Sequence, residues 1–395
     1  MISVDEAIQL VIGHTPSPRT ITLPLQACAG HVLAQDILSP GPFPSFDQSA
    51  MDGYAFCFAD WQQNPLPVDG ETAAGQFPEP LIQGTTRRIF TGAAIPPGAD
   101  TVVMQEHVQT HDGVIHIENS TLIAGANVRK QGSQIQAGEC ALPSGHTLQA
   151  AGIGFLASMG FDRATVFEKP VIHIVVTGSE LLPPGAPAEA GKVYESNSVM
   201  LLAALRSIGM EAQAVHHVPD DPQATLALLD RLSTECDYIL ATGGVSVGDY
   251  DFVGQMKHHP AFQSIFHKVK QKPGKPLLFG QFHRSLVFGL PGNPASVLTC
   301  FYAYVMPSLL KASGISHSNH YNKARLSEDL QKKPGLTVFY KAVLQDDVVR
   351  ILPQQESYIL RSYALANCLV VVQEEDTLLH AGDEVSCLLI PLMPV

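Results

Sequence analysis

The chain has 395 residues, of which 45% are hydrophobic and only 15% charged, and it carries a formal net charge of -13. At roughly 150 residues per folding unit this length predicts two to four units, and the acidic balance excludes a general binder of nucleic-acid backbones or anionic lipid, whose phosphates need a basic face. Cys28, Cys57, Cys140, Cys236, Cys300, Cys368 and Cys387 lie far apart with no CxxC pair, so neither a disulfide framework nor a zinc ribbon is indicated.

The opening MISVDEAIQL has acids where a secretory signal has basic residues, and apolar runs such as VMLLAALRSIGM are too short or interrupted to span a bilayer. A cytoplasmic protein with no membrane segment is expected. Ser3 and Glu6 form a capping-box signal for a short helix whose Val4, Ile8 and Val11 share a face.

Residues 40–133 hold the turns PGPFPSFD, PLPVDGE and AAIPPGAD between β-type runs such as TVVMQEHV and GVIHIEN, which reads as a β insertion. A second helix follows in AAGIGFLASMG with Thr147 as its expected cap, and the flanking segments 1–39 and 134–169 are expected to belong together. From residue 170 to 315 the pattern becomes VIHIVVTG, SNSVMLLAALRSIG, EAQAVHHV, PQATLALLDRLS and DYILATGG. Continuous apolar strands alternating with helical periods predict a three-layer α/β domain, a parallel sheet with helices on both faces. The tail, 316–395, returns to short runs (ARLSEDL, LTVFYKAVL, VVRILP, NCLVVVQ, DEVSCLLIP) that predict a small β-barrel or sandwich.

Ligands of an open parallel sheet bind beyond the carboxyl ends of its strands. Two strands end there in glycine followed by hydroxyls and acids: Thr177-Gly178 leads to Ser179 and Glu180, and Thr242-Gly243-Gly244 leads to Ser246, Gly248, Asp249 and Asp251. Glycine lets the backbone approach a phosphate without a Cβ clash. Carboxylates beside a phosphate require a cation between them, so Glu180 and Asp251 are candidate Mg²⁺ ligands, whereas Asp221 before Pro222 also suits a helix cap. The segment KVKQKPGKP places Lys268, Lys270, Lys272 and Lys275 within eight residues, four of the 24 basic residues in the chain. It is the local basic island that an acidic protein needs to hold an anion, and its turn aims Lys272 and Lys275 at one place. The turn Pro291-Gly292-Asn293 before the helix at Pro294 supplies a third anion-facing element.

The motifs FDQSAMDGYA (46–55), RIFTGAAIPPGADTVVMQE (88–106), VTGSEL, DDP, GGVSVGDYDF, KPGKP and GLPGNP, in this order along nearly the whole chain, resemble those of the molybdopterin molybdenumtransferases, bacterial relatives of the gephyrin E-domain. The resemblance implies four domains (the discontinuous 1–39 with 134–169, a β insertion, an α/β molybdopterin-binding domain and a C-terminal barrel) and a homodimer with an intersubunit site. It implies insertion of molybdenum from molybdate into adenylylated molybdopterin with Mg²⁺-dependent release of AMP. A molybdopterin adenylyltransferase and recipient molybdoenzymes are the implied protein partners.

By the same resemblance Asp52 and Thr91 are functional residues of the insertion, though both also suit turn capping. Glu180, Asp220 or Asp221, and Asp251 form an acidic set, Lys268 belongs to the basic strand, and Lys272, Lys275, Pro276, Lys341 and Ser357 surround molybdate. Four positions depart from the family's usual pattern: Ser179 for Asp, Gln134 for Asp, Lys341 for Arg and Glu356 for Gly. They keep open a reading as a non-catalytic carrier or scaffold, because a lysine lacks the bidentate fork of arginine. A third reading, a nucleotide pyrophosphatase sharing only the α/β domain, has the MDGYA insertion and the barrel against it.

Overall fold

A computed structural model describes residues 1–243, 256, 258–315 and 321–391. The chain divides into two compact units, one of Met1–Thr22, Gly30–Ala34 and Thr165–Val395, the other of Leu23–Ala29 and Gln35–Ala164.

The second unit is built on a six-stranded sheet of β1 (Gly53–Phe56), β2 (Leu66–Thr72), β3 (Thr86–Ile89), β4 (Thr101–Met104), β5 (Val108–His111) and β6 (Val114–Ile117), in the order β4-β1-β3-β2-β6-β5. The run TVVMQEHV is two strands rather than one, interrupted by a 3-10 turn over Gln105–His107. Phe56, Trp61, Leu66, Val103 and Ile115 fill its core. Gly53 is dictated by the central pairing: a Cβ there would stand 1.9 Å from the Val103 carbonyl oxygen. The helix Ala150–Ser158 begins at Gln149, which makes no side-chain cap, so Thr147 is not the cap.

In the first unit the helix Val4–His14 starts as expected, with Ser3 Oγ accepting from the Glu6 N–H at 3.1 Å. This helix falls in the first unit and Ala150–Ser158 in the second. Its buried Val4, Ala7 and Val11 share a core with the long helix Pro294–Ala312, and Thr15 Oγ1 meets Ser308 Oγ at 2.7 Å. Among the described residues Pro294–Ala312 is the one helix long and apolar enough to cross a bilayer, and 94% of its apolar window is buried inside the protein.

The α/β layer consists of β7 (Ile172–Thr177), β8 (Ala214–Val218), β9 (Tyr238–Thr242), β10 (Phe262–His267), β12 (Leu278–Phe282) and β13 (Ser285–Leu290), ordered β8-β7-β9-β13-β12-β10; the two-residue strand β11 (Gln271–Lys272) pairs elsewhere. The four strands from β8 to β13 in that order are parallel, but β12 pairs antiparallel with both β13 and β10 and runs against the rest, so the sheet is mixed where an all-parallel one was expected. The cause is local: only His283 and Arg284 separate β12 from β13, a connection too short for a parallel crossover. Alternate residues bury on opposite faces, Ile172, Ile174, Leu240 and Phe288 in one core and Val175, Ile239, Ala241 and Val287 in the other. This is why these strands read as continuous apolar runs.

The C-terminal runs form β14 (Tyr321–Leu326), β15 (Thr337–Gln345), β16 (Val348–Ile351), β17 (Cys368–Val372) and β18 (Glu384–Leu389). They are ordered β15-β16-β14-β18-β17, and β17 pairs back to β15, closing a five-stranded barrel onto which β11 adds beside β15. Leu326, Ala342, Val349, Val370 and Val385 fill it.

Candidate active site

The strand ends of the α/β layer, the KPGKP turn and a barrel loop enclose a cavity of about 860 Å³. It is lined by Glu180 after β7, by Lys272, Lys275 and Pro276 of the turn, by Pro291, Gly292 and Asn293 before the long helix, and by Ser357 of the barrel. Eight of the residues expected at the site therefore converge without any from distant surfaces.

The turn is held from beneath. Gln271 is buried, accepts from the Tyr304 hydroxyl and donates through Nε2 to the Gly274 carbonyl at 3.0 Å. Gly274 has φ +87° and a Cβ there would stand 2.7 Å from Cys300 Sγ, so only glycine lets the turn close on the helix. Lys272 and Lys275 are left exposed, and neither makes an ion pair among the described residues. Two unpaired ammonium groups on one turn attract an oxyanion at a site whose acids would otherwise repel it.

On the opposite wall, Asn293 Nδ2 donates to Ser357 Oγ at 3.0 Å, and the Ser357 carbonyl accepts from the Ala295 N–H at 3.2 Å. That contact ties the barrel loop to the start of the long helix and engages one of the amides expected to face an anion.

The strand ends are close-packed. Gly243 has φ +87° and a Cβ on it would lie 2.4 Å from the Thr177 carbonyl oxygen; Gly178 has φ +150°. Thr177 is buried behind them. Gly244, Ser246, Gly248 and Asp251, also expected at the site, lie outside the described residues.

Other expected residues have structural partners instead of a place on the cavity wall. Asp221 Oδ1 accepts from the Gln223 and Ala224 amides at 2.9 and 3.2 Å, capping the helix Pro222–Glu235. Asp220 and Ser179 close a reciprocal pair, Ser179 N–H to Asp220 Oδ2 at 2.9 Å and Asp220 N–H to Ser179 Oγ at 3.2 Å. Lys268 sits in a left-handed bend with φ +76° and does not line the cavity. Lys341 is buried, and its Nζ donates to the carbonyls of Gln354, Glu356 and Ile359 at 2.8, 3.2 and 3.2 Å. Burial pushes its pKa down, with Glu356 opposing. Lys341 thus shapes the loop that carries Ser357 rather than lining the cavity itself.

In the second unit, the pairing of Gly53 with Ile89 brings the residues beyond both strand ends together. Asp52 Oδ1 accepts from the Thr91 N–H at 2.7 Å and from its hydroxyl at 2.8 Å. The Thr91 amide, then its hydroxyl, hold this carboxyl below its ordinary range, and Arg88 adds to the effect. Arg88 lies over the Tyr54 and Phe90 rings at 5.1 Å from each centroid.

Among the cavity residues that sequence reasoning missed, three hold its walls together by hydrogen bonds. Glu195 is buried and accepts from the Ser198 N–H and hydroxyl at 2.8 and 2.5 Å. Asn197 Nδ2 donates to Thr242 Oγ1 at 3.1 Å and to the Gly292 carbonyl at 2.9 Å, tying two loops together, while its buried Oδ1 has no partner among the described residues. Gln271 is the third. The ESNS run before the helix Asn197–Ser207 carries a capping signal that could have flagged the first two; nothing local marks Gln271, because its partners lie across the fold.

A mixed α/β layer with an oxyanion-attracting cavity at its strand ends, joined to a closed barrel, defines a multidomain small-molecule enzyme of the molybdopterin-binding class. Family models agree along the chain: the MoeA N-terminal region (domain I and II) matches residues 2–160, a probable molybdopterin binding domain residues 173–311, and the MoeA C-terminal region (domain IV) residues 323–390. The molybdopterin molybdenumtransferase of Haemophilus influenzae is 32% identical, with 98% of each chain covered. Molybdopterin molybdenumtransferase 2 of Mycobacterium tuberculosis is 34% identical over 97% of this chain and 98% of its own. The crystal structure of the molybdopterin biosynthesis MoeA protein from Pyrococcus horikosii superposes with a TM-score of 0.82 at 28% identity, covering 99% of both chains. The chain belongs to the molybdopterin molybdenumtransferase (MoeA) family.

Proposed function

We propose that the protein inserts molybdenum from molybdate into the dithiolene of adenylylated molybdopterin and releases AMP, acting in molybdenum cofactor biosynthesis. The observation that carries this reading is the single cavity in which the unpaired ammonium groups of Lys272 and Lys275 face Ser357, Asn293 and Glu180. Molybdate and a pyrophosphate are both oxyanions, and two free lysines with hydroxyl and amide donors suit either. Lys272 and Lys275 draw in and orient the oxyanion, and Ser357, fixed by Asn293, offers its hydroxyl as a donor. Glu180 is an exposed carboxylate on the same wall, whereas Glu195 is committed to Ser198. Glu180 therefore fits a Mg²⁺ shared with phosphate oxygens, and Asp251 is its proposed companion. Bound there, Mg²⁺ would neutralise charge on the phosphate being cleaved.

The reading extends to a cytoplasmic homodimer in which Asp52 and Thr91 of the partner copy complete the site, to the four-domain division at residues 39/40, 133/134, 169/170 and 315/316, and to exchange with an adenylyltransferase and recipient molybdoenzymes. A second reading, a non-catalytic molybdopterin carrier, is favoured by one observation: Lys341 is closed on three carbonyls and offers nothing to molybdate.

Incubation with adenylylated molybdopterin, molybdate and Mg²⁺ separates the two. AMP release together with reconstitution of a molybdenum-free apoenzyme, both abolished by EDTA, is the expected result; tight ligand binding with neither product establishes the carrier.

A further inference from the structure

Asn197 is the first residue of the helix Asn197–Ser207, and that turn is locked from inside: the buried Glu195 carboxylate accepts from both the amide and the hydroxyl of Ser198. From this fixed start the Asn197 side chain reaches the ends of two neighbouring strands. Nδ2 donates one hydrogen to Thr242 Oγ1 at 3.1 Å, where β9 stops, and the other to the Gly292 carbonyl at 2.9 Å, just past β13. A carbonyl can only accept, so the amide cannot be turned over. Oδ1 is therefore held in the interior, buried and without a partner among the described residues.

A stranded acceptor of this kind costs stability, and a residue kept for stability alone would not leave one. With both hydrogens spent and its oxygen buried, Asn197 has no group to offer an anion in the cavity it lines. It acts through what it holds. Thr242 is 1% exposed and forms a rigid anchor, whereas Gly292 and Asn293 are exposed, and a Cβ on Gly292 would meet nothing within 4 Å. At Gly292 the turn is thus held by the hydrogen bond and not by packing. The next residue, Asn293, donates through Nδ2 to Ser357 Oγ at 3.0 Å. We infer that Asn197 is a positioning residue for the oxyanion: it fixes Gly292 against the end of β9, which places Asn293, and Asn293 orients the Ser357 hydroxyl. This deepens the function proposed above and rests on it in one respect, that Ser357 meets molybdate.

The test measures molybdate binding by equilibrium dialysis, and AMP release from adenylylated molybdopterin, on the full-length protein. Wild type, Asn197→Ala, Ser357→Ala and the double variant form a cycle; Thr242→Val, an isostere that deletes only the strand-end bond, is a second approach to the same clamp. Asn197→Ala and Ser357→Ala should each weaken molybdate binding about tenfold, and Thr242→Val about threefold. The double variant should bind no more weakly than the poorer single one, because both substitutions remove the same contact. In AMP release the loss should appear in the molybdate KM rather than in kcat. Asn197→Ala should melt within about 2 °C of wild type, since removal of the stranded oxygen offsets the two lost bonds. Losses that multiply in the double variant, or an affinity that falls only in step with the melting temperature, leave Asn197 a structural role and overturn the inference. Unchanged affinity in Asn197→Ala overturns it too, as does a wild type that binds no molybdate. If Asn197→Ala does not fold, the same cycle built on Thr242→Val decides. Coupled losses of binding with no AMP release by wild type would retain the role of Asn197 and reject the transferase.

Discussion

Lys275 and Lys341 belong to the same unit yet do opposite work. Lys275 follows a glycine turn pinned from below by Gln271, so its backbone needs no help and its ammonium group is free to meet an anion. Lys341 lies in the middle of β15 beneath a loop whose carbonyls turn inward, and its ammonium group satisfies three of them. What decides a lysine's role is whether nearby backbone is already paired: an unpaired carbonyl claims a buried cation, because leaving either one unsatisfied is costly.

The largest test of that contrast is Lys275→Ala. Removing a positioned oxyanion contact should reduce AMP release by about 10²-fold or more, with the melting temperature unchanged; full activity in a folded variant breaks the comparison. Next is Lys341→Met, which keeps the stem and deletes the donors. Unfolding by denaturant should show a loss of about 1–3 kcal/mol from the three stranded carbonyls, and activity should fall through KM as Ser357 loses its support. A loss of activity with no loss of stability would instead return Lys341 to the molybdate pocket.

The smallest effect sharpens the point for an acid in place of a lysine. Asp52 is held low in pKa by Thr91, so its contribution to stability is present above the unfolded carboxyl value and lost as pH falls through the lower folded one. Thr91→Val removes the hydroxyl and leaves the amide; carboxyl titration followed by NMR should show Asp52 moving partway back up, and no movement means the hydroxyl bond is not formed.

Much of this was legible in the sequence because it is written in local chemistry. Alternation of apolar runs marked the strands from β7 to β9 and the five barrel strands; Ser3 and Asp221 announced helix caps; the glycines at Gly178, Gly243 and Gly274 marked turns where left-handed backbone or close approach forbids a side chain. The KPGKP lysines stood out against an acidic chain. The mixed sheet was less visible, since β12 looks like any buried strand and only the two-residue link at His283-Arg284 reverses it against β13.

What the sequence by itself determined, then, is the set of elements, the molybdopterin-transferase motifs and which residues have the chemistry to hold an oxyanion. Only the tertiary structure decided which of those residues are free to do it. Asp220 and Lys341 are claimed by backbone groups that reach them through the fold, and Asn197 and Gln271 become part of the site through partners up to 95 residues away. Hydrogen-bond demand is a property of the packed backbone, so a polar residue's role is fixed where the chain closes on itself.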